Sequence, residues 1–333
     1  MEESLKVTKK HFSSLGGMFI LGTIIIYAVQ LIPAFLVKQL RPEWLEDGNI
    51  ALSLSMVPMY LVGMPALIAL VKRVPAETVE KKKMKWWQFL AAAVMCFGLM
   101  YASNLVGTVI STIIGLLKGS AVQNTLLGIV TSISLFFMIL YLVICAPIME
   151  EYVFRKLIVE RTVKYGQGVA VVMSGLMFGL FHGNLNQFAY AFTLGCFLAF
   201  LYVKTGNLKI TIAIHMMINL MGSVVSLKIV ELIDLDRYME IAMNGMDPNA
   251  LMEYISENAV GWVLYMLLGL FVFGTILASL ILFIVCIVKK KIRFEQGQVT
   301  ISKGKRFSTV ILNLGMLAYC IFWIVMIVIQ LFQ

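Results

Sequence analysis

Three short spacings carry most of the chemistry open to this chain. They are Glu150-Glu151 with Arg155, Phe178 with His182, and His215 with Asn219. Residues four apart share a helix face, so each spacing brings its pair together. Glu151 and Arg155 form an ion pair in the favourable order, carboxylate first. Glu150 projects about 100° away and is left for another partner. No serine or cysteine nucleophile accompanies these groups: Ser174 and Ser223 lie two turns or more from the histidines. The set therefore fits attack by a water. Glu150 would act as base together with His182, and His215 and Asn219 would donate hydrogen bonds to a developing oxyanion. Glu151 and Arg155 would orient the site or hold substrate backbone. The reaction class is hydrolysis of a carbonyl, most simply a peptide bond.

Taken singly, each group also has a plain structural reading. Glu151–Arg155 could be an ion pair that fixes helix packing, Glu150 a carboxylate at the end of a span, and each histidine a core residue bonded to a backbone carbonyl. His11 falls in the polar N-terminal stretch and is expected to be solvated. What favours chemistry is the setting. The chain is 60% hydrophobic and 14% charged, with mean hydropathy +0.91, which describes a polytopic membrane protein. Ionisable groups at bilayer depth cost a few kcal/mol each, so their default reading is functional.

Apolar runs fall at about 15–37, 50–71, 87–117, 125–147, 168–183, 187–203, 208–227, 260–288 and 308–331. The fold class expected is all-α, a transmembrane helical bundle of about nine spans. Of 27 Lys and Arg, 22 fall on the side that includes the N-terminus, in the segments around 6–10, 72–85, 155–164, 204–209 and 289–306. The positive-inside rule then places the N-terminus in the cytoplasm and the C-terminus outside. The formal charge of +9 is thus a signature of orientation in the cell membrane and not of nucleic-acid binding.

The chain divides into spans at 1–124, a core at 125–228, an acidic extracytoplasmic loop at 229–259 with a short helix opened by Asp247-Pro248, and two further spans at 260–333. The run Lys81 to Lys85 before Trp86-Trp87 reads as an interfacial anchor. The first apolar run, Leu15 to Val37, is longer than the core of a signal peptide and is kept as a span. The five cysteines are scattered singly in apolar segments, as packing residues. Gly175, Gly179 and Gly183 form a ridge of small residues that lets a neighbouring helix approach. Glu150 and His182 lie equally far from the turn at Gly166 and should share one depth. His215 lies about 12 Å beyond the inside turn at Gly206-Asn207. The candidates then converge in the cytoplasmic half, with Glu160, Arg161 and Lys164 projecting beyond the membrane and the site opening inward.

In that order on successive spans, Glu-Glu-x-x-x-Arg, Phe-x-x-x-His and His-x-x-x-Asn resemble the CAAX-protease and bacteriocin-processing family of intramembrane endopeptidases. This is the family of type II CAAX prenyl proteases and bacterial self-immunity proteins. The resemblance covers about residues 140–225. It implies Glu150 and His182 as activators of water, His215 and Asn219 as the oxyanion hole, Glu151 and Arg155 in support, and no cofactor. Many members have glycine after the arginine, where this chain has Lys156. The expected partners are a membrane-associated peptide or protein substrate and the bilayer. Two other readings stand beside this one. In the first, Glu150, His182 and His215 supply a His₂Glu zinc site with one open position. In the second, the protein is a non-enzymatic immunity or scaffold protein on the same fold. A transporter is disfavoured, since no paired discontinuous spans suggest an inverted repeat.

Overall fold

The computed structural model describes residues 2–122, 128 and 132–332, so most of the first turns of the fourth expected span lie outside it. The helices are α1 (Glu2–Leu40), α2 (Gly48–Val71), α3 (Trp86–Lys118), α4 (Leu135–Tyr165), α5 (Gln167–Phe181) and α6 (Leu185–Thr205). They continue with α7 (Leu208–Glu231), α8 (Leu235–Met243), α9 (Pro248–Glu257), α10 (Ala259–Val288) and α11 (Leu314–Leu331). There is no strand among the described residues. The protein is an all-α polytopic bundle.

Eight of these helices are long and apolar enough to cross a membrane, and α5, at 15 residues, is apolar but shorter. Among the described residues the nine expected runs are thus eight spanning helices and one short one, α5, whose bounds lie close to the expected 168–183. Before it, α4 runs on through Arg155 to Tyr165. The chain then reverses at Gly166, whose φ of 113° suits a residue without a side chain.

The loops segregate to two ends as the alternation of charge requires. At the basic end, Glu77 N donates to Glu160 O at 2.6 Å, Lys82 N to Thr205 O at 2.8 Å, and Val299 N to Lys164 O at 2.9 Å. At the opposite end, Ser134 N donates to Asn49 Oδ1 at 2.7 Å. There, α8 and α9 fold against the start of α10, and Asp247 Oδ1 accepts from Asn249 N at 3.3 Å, the cap expected before Pro248. Burial pushes the Tyr254 hydroxyl pKa up as it donates to Ile233 O. Trp86 opens α3 and is well exposed, and the Lys291 ammonium stands 5.9 Å over the Trp87 ring.

Phe12, Phe19, Phe154, Phe178, Tyr319 and Trp323 form a buried aromatic core that joins α1, α4, α5 and α11. The two ends of the chain meet there: Gly315 N takes a hydrogen bond to Ser13 Oγ at 3.0 Å. All five cysteines are free thiols.

One residue sits differently from expectation. His11 is buried, with Nε2 2.7 Å from Arg161 O and its ring against Tyr165. The polar N-terminal stretch is helical from Glu2 and packs on the end of α4 through His11. Glu160 and Arg161, at that end of α4, are held against protein. Glu160 Oε1 accepts from Tyr202 Oη at 2.9 Å, and Arg161 Nε donates to Val71 O at 2.7 Å. Hydrogen-bonding capacity at the ends of α2 and α6 draws these charges inward. Arg155, counted above with the basic loops, is wholly buried in the bundle; removing it leaves the imbalance of charge between the two ends intact.

Candidate active site

The site depends on an irregularity in α4. Wide π-helical turns over Met138–Cys145 and Glu151–Leu157 flank a short regular stretch, Ala146–Glu150. Such turns re-aim side chains and recur at functional sites. In the first wide stretch the backbone N–H groups reach back five residues, as Ala146 N does to Tyr141 O. The next carbonyl, that of Leu142, would take the N–H of residue 147. That residue is Pro147, which has none. Asn219 supplies the missing donor from α7: its Nδ2 lies 2.8 Å from Leu142 O. One proline and one asparagine thereby register α4 against α7 within two turns of the paired glutamates.

At that register, Glu151 Oε1 lies 2.9 Å from Arg155 Nη2 and 2.9 Å from His215 Nδ1. Glu151 and Arg155 are completely buried and His215 nearly so. The N–H groups of Arg155 are not aimed at any protein acceptor. The contact with Glu151 is therefore one of charge, reinforced by the Phe178 ring, whose centroid is 4.3 Å from the guanidinium carbon. The same ring stands perpendicular to both imidazoles, at 4.7 Å from His182 and 5.8 Å from His215.

Glu150 is the partly open carboxylate. Its side chain is 20% exposed, and Oε2 lies 3.7 Å from His215 Nε2. His182 caps α5, and its Nδ1 lies 2.9 Å from Phe178 O. A carbonyl only accepts, so Nδ1 carries the proton and Nε2 of the neutral ring is left to accept one.

The structure thus gathers all six candidates on α4, α5 and α7, as the spacings required. Glu150, Glu151, Arg155 and His215 are linked by direct contacts, His182 joins through Phe178, and Asn219 is anchored on Leu142. Glu150 stands at the midpoint of the 31-residue α4, and His215 is the eighth residue of α7 counted from its basic end.

A cavity of about 950 Å³ lies between α3, α6 and α7 and reaches Tyr190 and Asn219. Gly119, Ser120 and Ser226, at the end that carries the acidic segment, also line it. A second groove, about 510 Å³, runs between α2, α4 and α7 past Ile68, Met149, Tyr152 and Ile212 with Lys72 beside it. It is lined by none of the six candidates.

Several participants gave no signal in the sequence. Tyr60, whose hydroxyl donates to Tyr141 O at 3.4 Å, and Tyr190, which lines the cavity with Asn219, sit in apolar runs without diagnostic spacing. The Leu142 carbonyl became visible only with the wide turn before Pro147. No three His, Cys, Asp or Glu side chains among the described residues are grouped as metal ligands are.

Residues 132–221 match the sequence model of a family described as Rce1-like, type II CAAX prenyl endopeptidase Rce1-like. The chain is 27% identical over 213 residues to the membrane-embedded CAAX protease MroQ of Staphylococcus aureus, covering 59% of this chain and 84% of that protein. It is 25% identical over 166 residues to YdiL of Bacillus subtilis, whose name makes it a candidate membrane peptidase. That match covers 48% of this chain and 66% of YdiL, just under two thirds. No solved structure matches the chain significantly.

Proposed function

Starting from an Rce1-like segment at residues 132–221, we propose that this chain is an intramembrane endopeptidase that cuts a membrane-associated peptide or protein with an activated water. The family match and the two relatives support membrane protease activity in general. The finer reading rests on one observation above all: a partly open Glu150 beside His215, which a wholly buried Glu151–Arg155 pair holds from behind.

In the mechanism that follows, water sits between Glu150 and the accepting Nε2 of His182. Its oxygen bonds to the scissile carbonyl carbon as Glu150 takes a proton. The carbonyl π electrons move onto oxygen. That oxyanion is met by an N–H of His215 at Nε2, which takes part as the doubly protonated ring because Nδ1 already donates to Glu151, and by the second N–H of the Asn219 amide, the first being held by Leu142. The tetrahedral adduct then collapses, the C–N bond breaks, and the departing amine takes the proton from Glu150. Glu151 fixes the rotation of the His215 ring from Nδ1, the positioning task a carboxylate performs for a catalytic imidazole elsewhere. Arg155 keeps Glu151 ionised where burial alone would oppose its charge.

The test compares peptides in membranes and medium from cells that carry the intact protein, Glu150→Ala or Glu150→Gln. The expected result is a set of cleaved peptides present only with the intact protein. If both variants yield the same peptides and the same cellular phenotype as the intact chain, the protein acts as a scaffold and not as a hydrolase. Activity retained after purification in strong chelator, with no metal in the sample, would set the zinc chemistry aside.

A further inference from the structure

The groove between α2, α4 and α7 takes no part in the chemistry of the site. Its apolar walls include Ile68 and Ala69 of α2, Ile148 and Met149 of α4, and Leu208 and Ile212 of α7. At about 510 Å³ it falls within the roughly 300–1,000 Å³ of small-ligand sites. It lies open along its outer side, where Ala69 and Ile148 are exposed. On helices of spanning length, such an opening faces lipid chains, which are as apolar as the groove itself.

One end is different. Lys72 follows directly on the last residue of α2 and lines the groove, with its ammonium 5.9 Å from the centre of the Tyr152 ring. Leu208, the first residue of α7, lines it too. Because α2 ends and α7 begins at the basic end of the bundle, the cation stands at the mouth, and Ile68 and Ile212 lie one turn further in. Lys72, its neighbour Arg73, and Lys209 beside Leu208 are all exposed, and none forms an ion pair among the described residues. A lysine so placed lays its methylene stem on apolar surface and keeps its charge at the interface.

We propose that this groove binds one anionic phospholipid, with an acyl chain along Ile68, Met149 and Ile212 and the phosphate on the Lys72 ammonium. Charge decides among the candidate occupants. Each Lys or Arg near a membrane surface favours anionic lipid by about fivefold in affinity, and three such residues stand at or next to this mouth. A zwitterionic headgroup would bring a cation of its own against them. Free phosphate would neutralise Lys72 and leave the apolar walls unfilled. Occupancy also has a structural consequence. Met149 and Tyr152 bracket Glu150 and Glu151 in α4, and Ile212 is one turn before His215 in α7. A chain held between them braces the two helices at the turns that carry the 2.9 Å contact of Glu151 with His215. The proposal needs only the fold and does not depend on the endopeptidase reading.

The experiment uses the full chain, purified in detergent and stripped of lipid. Native mass spectrometry then counts the lipid bound on titration with dioleoyl phosphatidylglycerol, or with dioleoyl phosphatidylcholine, which has the same chains. The intact protein should bind one phosphatidylglycerol at least fivefold more tightly than phosphatidylcholine. Lys72→Gln should lose that preference and Lys72→Arg should keep it. Ala69→Trp, which puts a side chain into the groove, should weaken phosphatidylglycerol binding although Lys72 remains. Lys289→Gln, at the basic end of α10, should bind as the intact chain does. Equal binding of the two lipids by the intact protein overturns the proposal, and so does a preference that survives Lys72→Gln. A loss with Lys289→Gln as large as that with Lys72→Gln would reduce the effect to overall charge. Displacement of the lipid by millimolar inorganic phosphate, with Ala69→Trp binding normally, would make the mouth a site for a free anion and overturn the lipid.

Melting curves in the same detergent give the second readout. Phosphatidylglycerol should raise the melting temperature of the intact protein more than phosphatidylcholine does, and should not do so for Lys72→Gln. Phosphatidylglycerol that binds without raising the melting temperature would overturn the bracing of α4 against α7.

Discussion

The Nδ1 of His215 lies 2.9 Å from the Oε1 of Glu151, a residue 64 positions earlier, and the same oxygen lies 2.9 Å from Arg155 Nη2. One buried carboxylate oxygen thus joins two helices through a ring nitrogen and a guanidinium. Removing either partner leaves charge buried without compensation, and this separates the structural work of the site from its chemical work.

Arg155→Met should be far more damaging than its conservative volume suggests. It strips the cation from Glu151, at 0% exposure on both side chains, and breaking a buried pair from one side typically costs about 3–5 kcal/mol. The double variant Arg155→Met/Glu151→Gln should recover part of that loss, because no ionised group is then stranded. Thermal unfolding of the purified protein in detergent reads this directly. Equal melting temperatures for the single variant and the intact chain would show that the pair is dispensable.

Adjacent glutamates should separate cleanly under the same kind of substitution. Glu150→Gln alters a partly open carboxylate whose Oε2 stands 3.7 Å from His215 Nε2. It should leave the melting temperature close to that of the intact protein while product formation falls by about 10²–10⁴-fold, the range for a lost general base. Glu151→Gln should lower both, since it weakens the hold on His215 and the pair with Arg155 together. The measurement pairs melting curves with quantified peptide products. A Glu150→Gln protein that unfolds as readily as Glu151→Gln would make both residues structural.

How far the sequence reached follows from the kind of physics involved. One-turn spacings are local, so Glu151 with Arg155, Phe178 against His182, and the shared face of His215 and Asn219 could be read from residue numbers. The alternation of Lys and Arg sorted the loops to their correct ends for the same reason. The packing of the end of α4 was less accessible: Glu160, Arg161 and Tyr165 find partners in protein that lie far away in the chain. His11 escaped notice on similar grounds: its neighbours Arg161 and Tyr165 lie about 150 residues away in the chain. The role of Pro147 was hidden too, since its effect depends on the wider hydrogen-bond pattern that precedes it.

Glycines on α5 offer a graded test of how tightly the site is braced. A side-chain carbon at Gly175 would lie 2.9 Å from both Cys196 N and Phe192 O, backbone atoms of α6 that cannot step aside. At Gly179 the closest approach is 3.0 Å, to Phe192 Cβ, and at Gly274 on α10 nothing lies within 4 Å. Gly175→Ala should therefore destabilise most, by about 1–3 kcal/mol as overpacked cores do, with Gly179→Ala milder and Gly274→Ala neutral or slightly stabilising. Because α5 ends in His182, product formation should fall in the same order. Melting curves that rank Gly274→Ala worst would mean that α5 and α6 are not in the contact described.

Asn219 and Pro147 should be coupled although they never touch. The Asn219 amide donates to Leu142 O at 2.8 Å, the carbonyl that a residue with an N–H at position 147 could serve. Asn219→Ala alone should cost about 1–3 kcal/mol, the penalty of an unpaired buried acceptor. With Pro147→Ala in place, the backbone gains an N–H for Leu142 O, and the further loss on removing Asn219 should shrink by at least half. A double-mutant cycle on melting temperature measures that difference, and strictly additive losses would refute the link. Product formation adds the discriminating readout. If Asn219 also donates to the oxyanion, the double variant should regain stability without regaining activity; if its only task is to bind Leu142, both should return together.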